Sequence, residues 1–216
     1  METTITHPSQ ATGTYTALIF IPDISGFTKF LNETELAHSQ GIISKLLEAI
    51  LESNELGLSV SEIEGDAVLF YKIGSAPSLP EVAKQSKTMF LKFHHLLKVI
   101  DKTRTCNCAA CDSVVRLTLK LICHYGTVST ITVRNFMKLL GSDVILAHRL
   151  LKNNIEGNEY VLLSENYLRS QAIQDLKSVI DWEEVKEGTI DYEHLGTVHY
   201  KYVSLSPLLR LVPPLE

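Results

Sequence analysis

The sequence predicts a single mixed α/β domain. Two kinds of pattern predict it: apolar runs of strand length broken by glycine turns, and two long stretches with helical spacing between them. At 216 residues and 45% hydrophobic content the chain can bury a substantial core,. The domain is expected to span residues 15–205, after an arm of residues 1–14 that is polar and threonine-rich,. Residues 206–216, with Pro213-Pro214, form a tail that is either disordered or docked.

The first strand, residues 16–22, carries Leu18-Ile19-Phe20-Ile21 and runs straight into Asp23 and the turn at Gly26. Residues 34–53 place Leu36, Ile42, Ile43, Leu46, Leu47, Ile50 and Leu51 at helical spacing, so a long core-facing helix follows,. Residues 58–64 and 67–73 read as a hairpin around Gly65-Asp66,. Pro80 and Glu81 suit the start of a second helix that reaches about Ile100, its lysines marking a solvated face,. A strand over residues 114–123 ends at a turn, Tyr125-Gly126-Thr127, and a further strand covers 128–133. From Ser142 the pattern is helical again, residues 160–163 form a strand, and Ser164 caps a short helix of residues 165–172,. Strand and turn then alternate to Leu205, through residues 182–185, 188–192 and 199–205.

Asp23 and Asp66 are the candidate chemistry. A carboxylate at a strand end, followed by a glycine that lets backbone N–H groups approach a ligand, suits a metal-bound phosphate. A second acid at the head of a neighbouring buried strand supplies the second hard oxygen ligand of a magnesium-type site. The plainer reading makes Asp23, Ser25 and Thr28 ordinary turn and cap residues.

Composition narrows the classes. A net charge of −5 gives no basic footprint for a nucleic-acid polymer,. No apolar run reaches membrane-span length and the N-terminus has no leader pattern, so a cytoplasmic location without a membrane partner is expected,. Cys106, Cys108 and Cys111 are bunched, and Cys123 or His124 could complete a tetrahedron, so the cluster reads either as a structural zinc site or as a loop of reduced thiols,.

Four landmarks, in order, carry a resemblance. They are Asp23-Ile24-Ser25-Gly26-Phe27-Thr28 after a strand, Gly65-Asp66 in a hairpin, a strand running into His124-Tyr125-Gly126, and Gly141 followed by Ala147-His148-Arg149-Leu150. Over residues 16–165 the chain resembles the class III nucleotidyl cyclase catalytic domain, the family of adenylyl and guanylyl cyclases. With its cysteine insert at about 104–113 it is similar to a divergent bacterial branch of that family. The resemblance implies a ferredoxin-like, antiparallel-rich sheet covered by helices, working as a homodimer with sites at the interface. It also implies conversion of a nucleoside triphosphate to a cyclic nucleotide and pyrophosphate with two magnesium or manganese ions.

By the same resemblance Asp23, Asp66 and the Ile24 carbonyl would hold the metals, and Ile24, Ser25, Gly26, Phe27 and Thr28 would line the phosphate site. Arg149 of the partner copy would stabilise transition-state charge, and Glu62 and Lys138 would select the base. The family's ribose-orienting asparagine is replaced by Ile145, and its second transition-state cation has no counterpart near Glu156-Gly157-Asn158, Lys152 being out of step. Glu62 and Lys138, opposite in charge, are expected to pair with each other across the dimer. These departures favour a rival reading, a degenerate module that binds a nucleotide or a partner protein without turnover; phosphate-ester hydrolysis at the same acids is a third.

Overall fold

A computed structural model describes residues 13–215 except Glu35, residues 104–112, Asn135 and residues 173–174. Along the chain run β1 (Thr14–Ser25), α1 (Phe27–Glu33), α2 (Leu36–Glu52), β2 (Ser59–Glu64), β3 (Ala67–Ile73) and α3 (Leu79–Thr103). They are followed by β4 (Thr118–Val133), β5 (Phe136–Leu140), α4 (Ser142–Leu150), β6 (Tyr160–Ser164), α5 (Glu165–Arg169), β7 (Lys186–Tyr192) and β8 (Gly196–Ser204). Among the described residues the strands make one sheet in the order β2-β3-β1-β4-β6-β8-β7, with β5 folded back on β4. Every pairing is antiparallel except β4 with β6. The predicted α/β class with an antiparallel-rich sheet is what the chain adopts.

Strand alternation sorts β1 onto two cores. Leu18, Phe20 and Ile24 face α2 and α3, together with Leu121, Cys123 and Val161. Ala17, Ile19 and Ile21 face the other way, with Ile122, Val128 and the α4 residues Val144, Ala147 and Leu150. Asp23 continues this second series and Lys120 shares its face, two residues before Ile122. The 3₁₀ turn Ser206–Leu211 adds Leu208 to the α3 side, where Val212 is also buried.

Several expectations are corrected. The helix predicted over 34–53 is α2, and it is separate from the short α1 before it: Thr34 leaves helical geometry at φ −128°, ψ 155° while its hydroxyl donates to Phe30 O (2.7 Å), ending α1. Residues 182–185 are not a strand, whereas β7 begins two residues earlier than expected. The turn at Tyr125-Gly126-Thr127 does not exist; β4 runs through it for 16 residues, with Gly126 paired to Ala17 of β1. Gly126 serves a different need, since a Cβ there would lie 2.2 Å from Asp143 Cγ.

Candidate functional site

The site grows from the end of β1. Asp23 is opposite Lys120 on β4 and opposite Ala67 on β3, which places the Gly65-Asp66 turn beside it. Gly65 takes the left-handed conformation (φ 61°) that lets the hairpin turn tightly,. Ile24 N then donates to Asp66 O (3.0 Å), tying that turn to the strand end. The two acids are close enough to interact electrically: burial, and then the charge of Asp23, pushes the Asp66 carboxyl up to about 6,. Lys120 acts in the opposite sense on Asp66, and its Nζ lies 2.9 Å from Asp23 Oδ2 with both side chains largely buried.

Beyond Asp23, Gly26 sits at φ 89° as the residue before α1, a conformation strained for any other side chain. Phe30 N donates to Gly26 O (2.9 Å). The Ser25 hydroxyl is buried and has no hydrogen-bond partner among the described residues. The predicted phosphate-lining residues Ile24 to Thr28 therefore form one continuous strand-to-helix corner next to the acid pair.

Helix α4 is held against β4 at both ends. At its start, Asp143 Oδ1 lies 2.9 Å from His124 Nε2, and Asp143 Oδ2 accepts from Thr127 N (2.7 Å). The His124 bond, the larger of the favourable contacts, holds the Asp143 carboxyl below its usual range despite partial burial. At the far end Lys120 Nζ donates to Leu151 O (3.3 Å). The dimensions match: four strand residues from Lys120 to His124 span about 13 Å, and eight helical residues from Asp143 to Leu151 rise about 12 Å. The Tyr192 hydroxyl also caps this end, donating to Arg149 O (2.7 Å) and Lys152 O (3.0 Å).

Arg149 is exposed on α4, and among the described residues no hydrogen bond or ion pair joins its side chain to Asp23 or Asp66. Glu62 and Lys138 do meet, Oε2 to Nζ at 3.2 Å, but within one chain, which corrects the expected pairing across a dimer. β2 and β5 approach each other directly, so the contact needs no second copy. His148 lies between Glu62 and Glu64, its ring nitrogens 3.9 Å from a carboxylate oxygen of each. Ile145, at the position where the resemblance expects an asparagine, is 55% exposed.

Cys106, Cys108 and Cys111 lie outside the described residues. Of the two candidates for a fourth zinc ligand, Cys123 is fully buried among core side chains, with burial pushing its thiol well up. His124 has both ring nitrogens engaged, Nδ1 with Ser164 Oγ at 2.8 Å and Nε2 with Asp143. Neither offers a free ligating position, so that part of the zinc expectation is corrected. Among the described residues no group of three or more His, Cys, Asp and Glu is arranged to hold a metal ion. The Asp23–Asp66 pair nevertheless fits one chemically: its donors are hard oxygens and their mutual repulsion favours a cation, which would compete with the Lys120 ammonium for Asp23,. Magnesium-type sites of this kind draw their remaining ligands from water and substrate phosphates.

The sequence reading missed Lys120 and Tyr192. Lys120 alternates with Leu119 and Leu121 in a strand pattern, where a period-two polar residue reads as solvent-facing,.

The architecture is that of adenylyl and guanylyl cyclase catalytic domains. The adenylyl cyclase CyaB from P. aeruginosa superposes with a TM-score of 0.59 at 19% identity, covering 89% of this chain and 96% of that one. The guanylate cyclase domain of RhGC from Catenaria anguillulae, solved in complex with GTP, gives 0.58 at 19% identity, covering 89% of this chain and 98% of that one. Residues 43–160 match the family described as "Protein of unknown function (DUF2652)", and the chain belongs to that family. The uncharacterized protein Rv2561/Rv2562 of Mycobacterium tuberculosis is 27% identical over 166 residues, 76% of this chain and 74% of that protein. No helix among the described residues is long and apolar enough to cross a membrane.

Proposed function

We propose that the chain is a nucleotidyl cyclase that converts a nucleoside triphosphate to a cyclic nucleotide and pyrophosphate as a homodimer. The observation that carries this reading is the acid pair at the strand ends, Asp23 and Asp66, coupled in charge beside a glycine corner. Asp23, Asp66 and the Ile24 carbonyl would hold two divalent cations, magnesium or manganese. Bound there, such ions activate the ribose 3′-hydroxyl and neutralise the leaving pyrophosphate. The Gly26–Thr28 backbone orients the phosphate chain beside the half-buried acid pair. Lys120 keeps the acids from standing as two uncompensated charges when no cation is bound,.

Arg149, exposed and with no hydrogen bond or ion pair to the acids of its own chain among the described residues, serves the site of the partner copy in this reading, stabilising charge on the reacting phosphate,. Glu62 and Lys138 meet the base, with carboxylate acceptor and ammonium donor side by side. A structural zinc ion, where present, rests on Cys106, Cys108 and Cys111 with a fourth ligand other than Cys123 or His124.

One observation favours the second reading, a module that binds nucleotide without turnover: Ile145 presents an exposed apolar surface where the resemblance expects a ribose-orienting amide. Incubation of the purified protein with ATP, GTP, CTP or UTP plus Mn²⁺, read by mass spectrometry, separates the readings. A cyclic product that disappears in Asp23→Asn supports the cyclase. Nucleotide binding by calorimetry with no product from any of the four passes the assignment to the binding module, and release of free phosphate passes it to hydrolysis.

A further inference from the structure

We infer that Lys120 is a positioning residue that transmits cation binding at Asp23 to the end of α4 that carries Arg149. The inference rests on the reading of Asp23 and Asp66 as a cation site and deepens it. One ammonium group has two partners, Asp23 Oδ2 at 2.9 Å and Leu151 O at 3.3 Å. The first is the acid of the candidate site. The second is a carbonyl just past the last turn of α4, where the helix exposes its negative dipole end and unpaired acceptors.

The neighbouring acceptors have neutral donors that do not touch the acids. Arg149 O and Lys152 O take the Tyr192 hydroxyl, and Leu150 O takes Asn153 Nδ2 at 2.7 Å. Lys120 is therefore the charged link between the acid pair and this helix end. A cation on Asp23 removes the ammonium's counter-ion and repels it, and Leu151 O is the partner that remains. The last turn of α4, with Arg149 in it, tightens as a result. If Arg149 serves the second site of a dimer, each chain then relays the state of one site to the other. By reciprocity, any ligand that fixes the α4 end raises cation affinity at Asp23 by the same factor.

The test uses the full chain with Mn²⁺ alone as probe. Two quantities are read: Mn²⁺ affinity by electron paramagnetic resonance of the free ion, and hydrogen exchange at the amides of Leu151 and Lys152. These amides bond His148 O (3.2 Å) and Arg149 O (2.9 Å), so they report the last turn. In wild type, Mn²⁺ is expected to slow their exchange by about threefold. Lys120→Met removes a competitor from Asp23, so Mn²⁺ binds about fivefold tighter while the exchange rates no longer respond to it. Lys120→Arg keeps both contacts and restores the response, which separates coupling from a folding defect. Asp23→Asn releases Lys120 outright and shows slow exchange before any Mn²⁺ is added.

Binding of Mn²⁺ to wild type without a change at Leu151 and Lys152, or an unchanged response in Lys120→Met, overturns the coupling and leaves the cation site standing. Failure of Mn²⁺ to bind, or binding that Asp23→Asn does not weaken, overturns the acid-pair reading and this inference with it.

Discussion

His124 Nε2 and Asp143 Oδ1 lie 2.9 Å apart, joining the middle of the longest strand to the first turn of α4. The ring is fully buried, so Asp143→Ala leaves it without that partner and should cost about 2–3 kcal/mol,. The pH dependence has a fixed sign. The Asp143 carboxyl is held below its ordinary value of 3.8, so its contribution is complete above that value and is lost as pH falls towards the lowered one,. The melting-temperature gap between wild type and Asp143→Asn should therefore shrink on acidification below the ordinary carboxylate range. A gap that is flat with pH would show that the charge of Asp143 does not matter to the clamp.

Gly126→Ala should reproduce the loss of the clamp without touching either member. The added methyl would stand 2.5 Å from Asp143 Oδ2 and 2.2 Å from its Cγ, forcing the carboxylate away from Thr127 N and His124. Its cost should be about 2 kcal/mol in wild type and should largely vanish in an Asp143→Ala background. Full additivity of the two substitutions, measured by denaturant unfolding, would show that the glycine answers some other need.

Asp66→Asn should stabilise the protein in metal-free buffer. The folded carboxyl is raised from 3.8 to about 6, so the native state binds more protons between those values and wild type loses stability as pH rises through that window,. Above it the advantage of the amide should level off at about 1 kcal/mol, a figure reduced for the solvent that reaches this half-buried group. Thermal unfolding at pH 5 and pH 8 checks the sign. A lower melting temperature for Asp66→Asn at pH 8 would make the acid a structural residue.

The strands and helices with strong periodicity were legible from the residues themselves. Leu18-Ile19-Phe20-Ile21 could only be a buried strand, and the glycine after Asp23 placed that acid at its end. What the sequence could not supply is register. Asp23 and Lys120 stand 97 positions apart, and their pairing follows from the β1–β4 ladder rather than from any local pattern. Gly126 misled for a related reason: a glycine in an apolar run reads as a turn, whereas here it makes room for a carboxylate from another element. Glu62 and Lys138 were singled out together by the resemblance, yet their contact inside one chain depends on β5 folding back toward β2.

The twelve-residue ladder between β1 and β4 also bears on how the chain reaches its fold. Thr14 to Ser25 pair with Thr118 to Ser129, so a central strand of the sheet is synthesised about a hundred residues before its longest partner. Until β4 emerges from the ribosome, β3 pairs with one backbone edge of β1 while the other edge is open, and the face of Ala17, Ile19 and Ile21 lacks Ile122, Val128 and α4 to cover it. Such distant pairing slows folding and leaves a sticky edge exposed while the chain grows. A nascent chain stalled just before β4 should therefore be bound by general chaperones, and one stalled well after residue 164 should not.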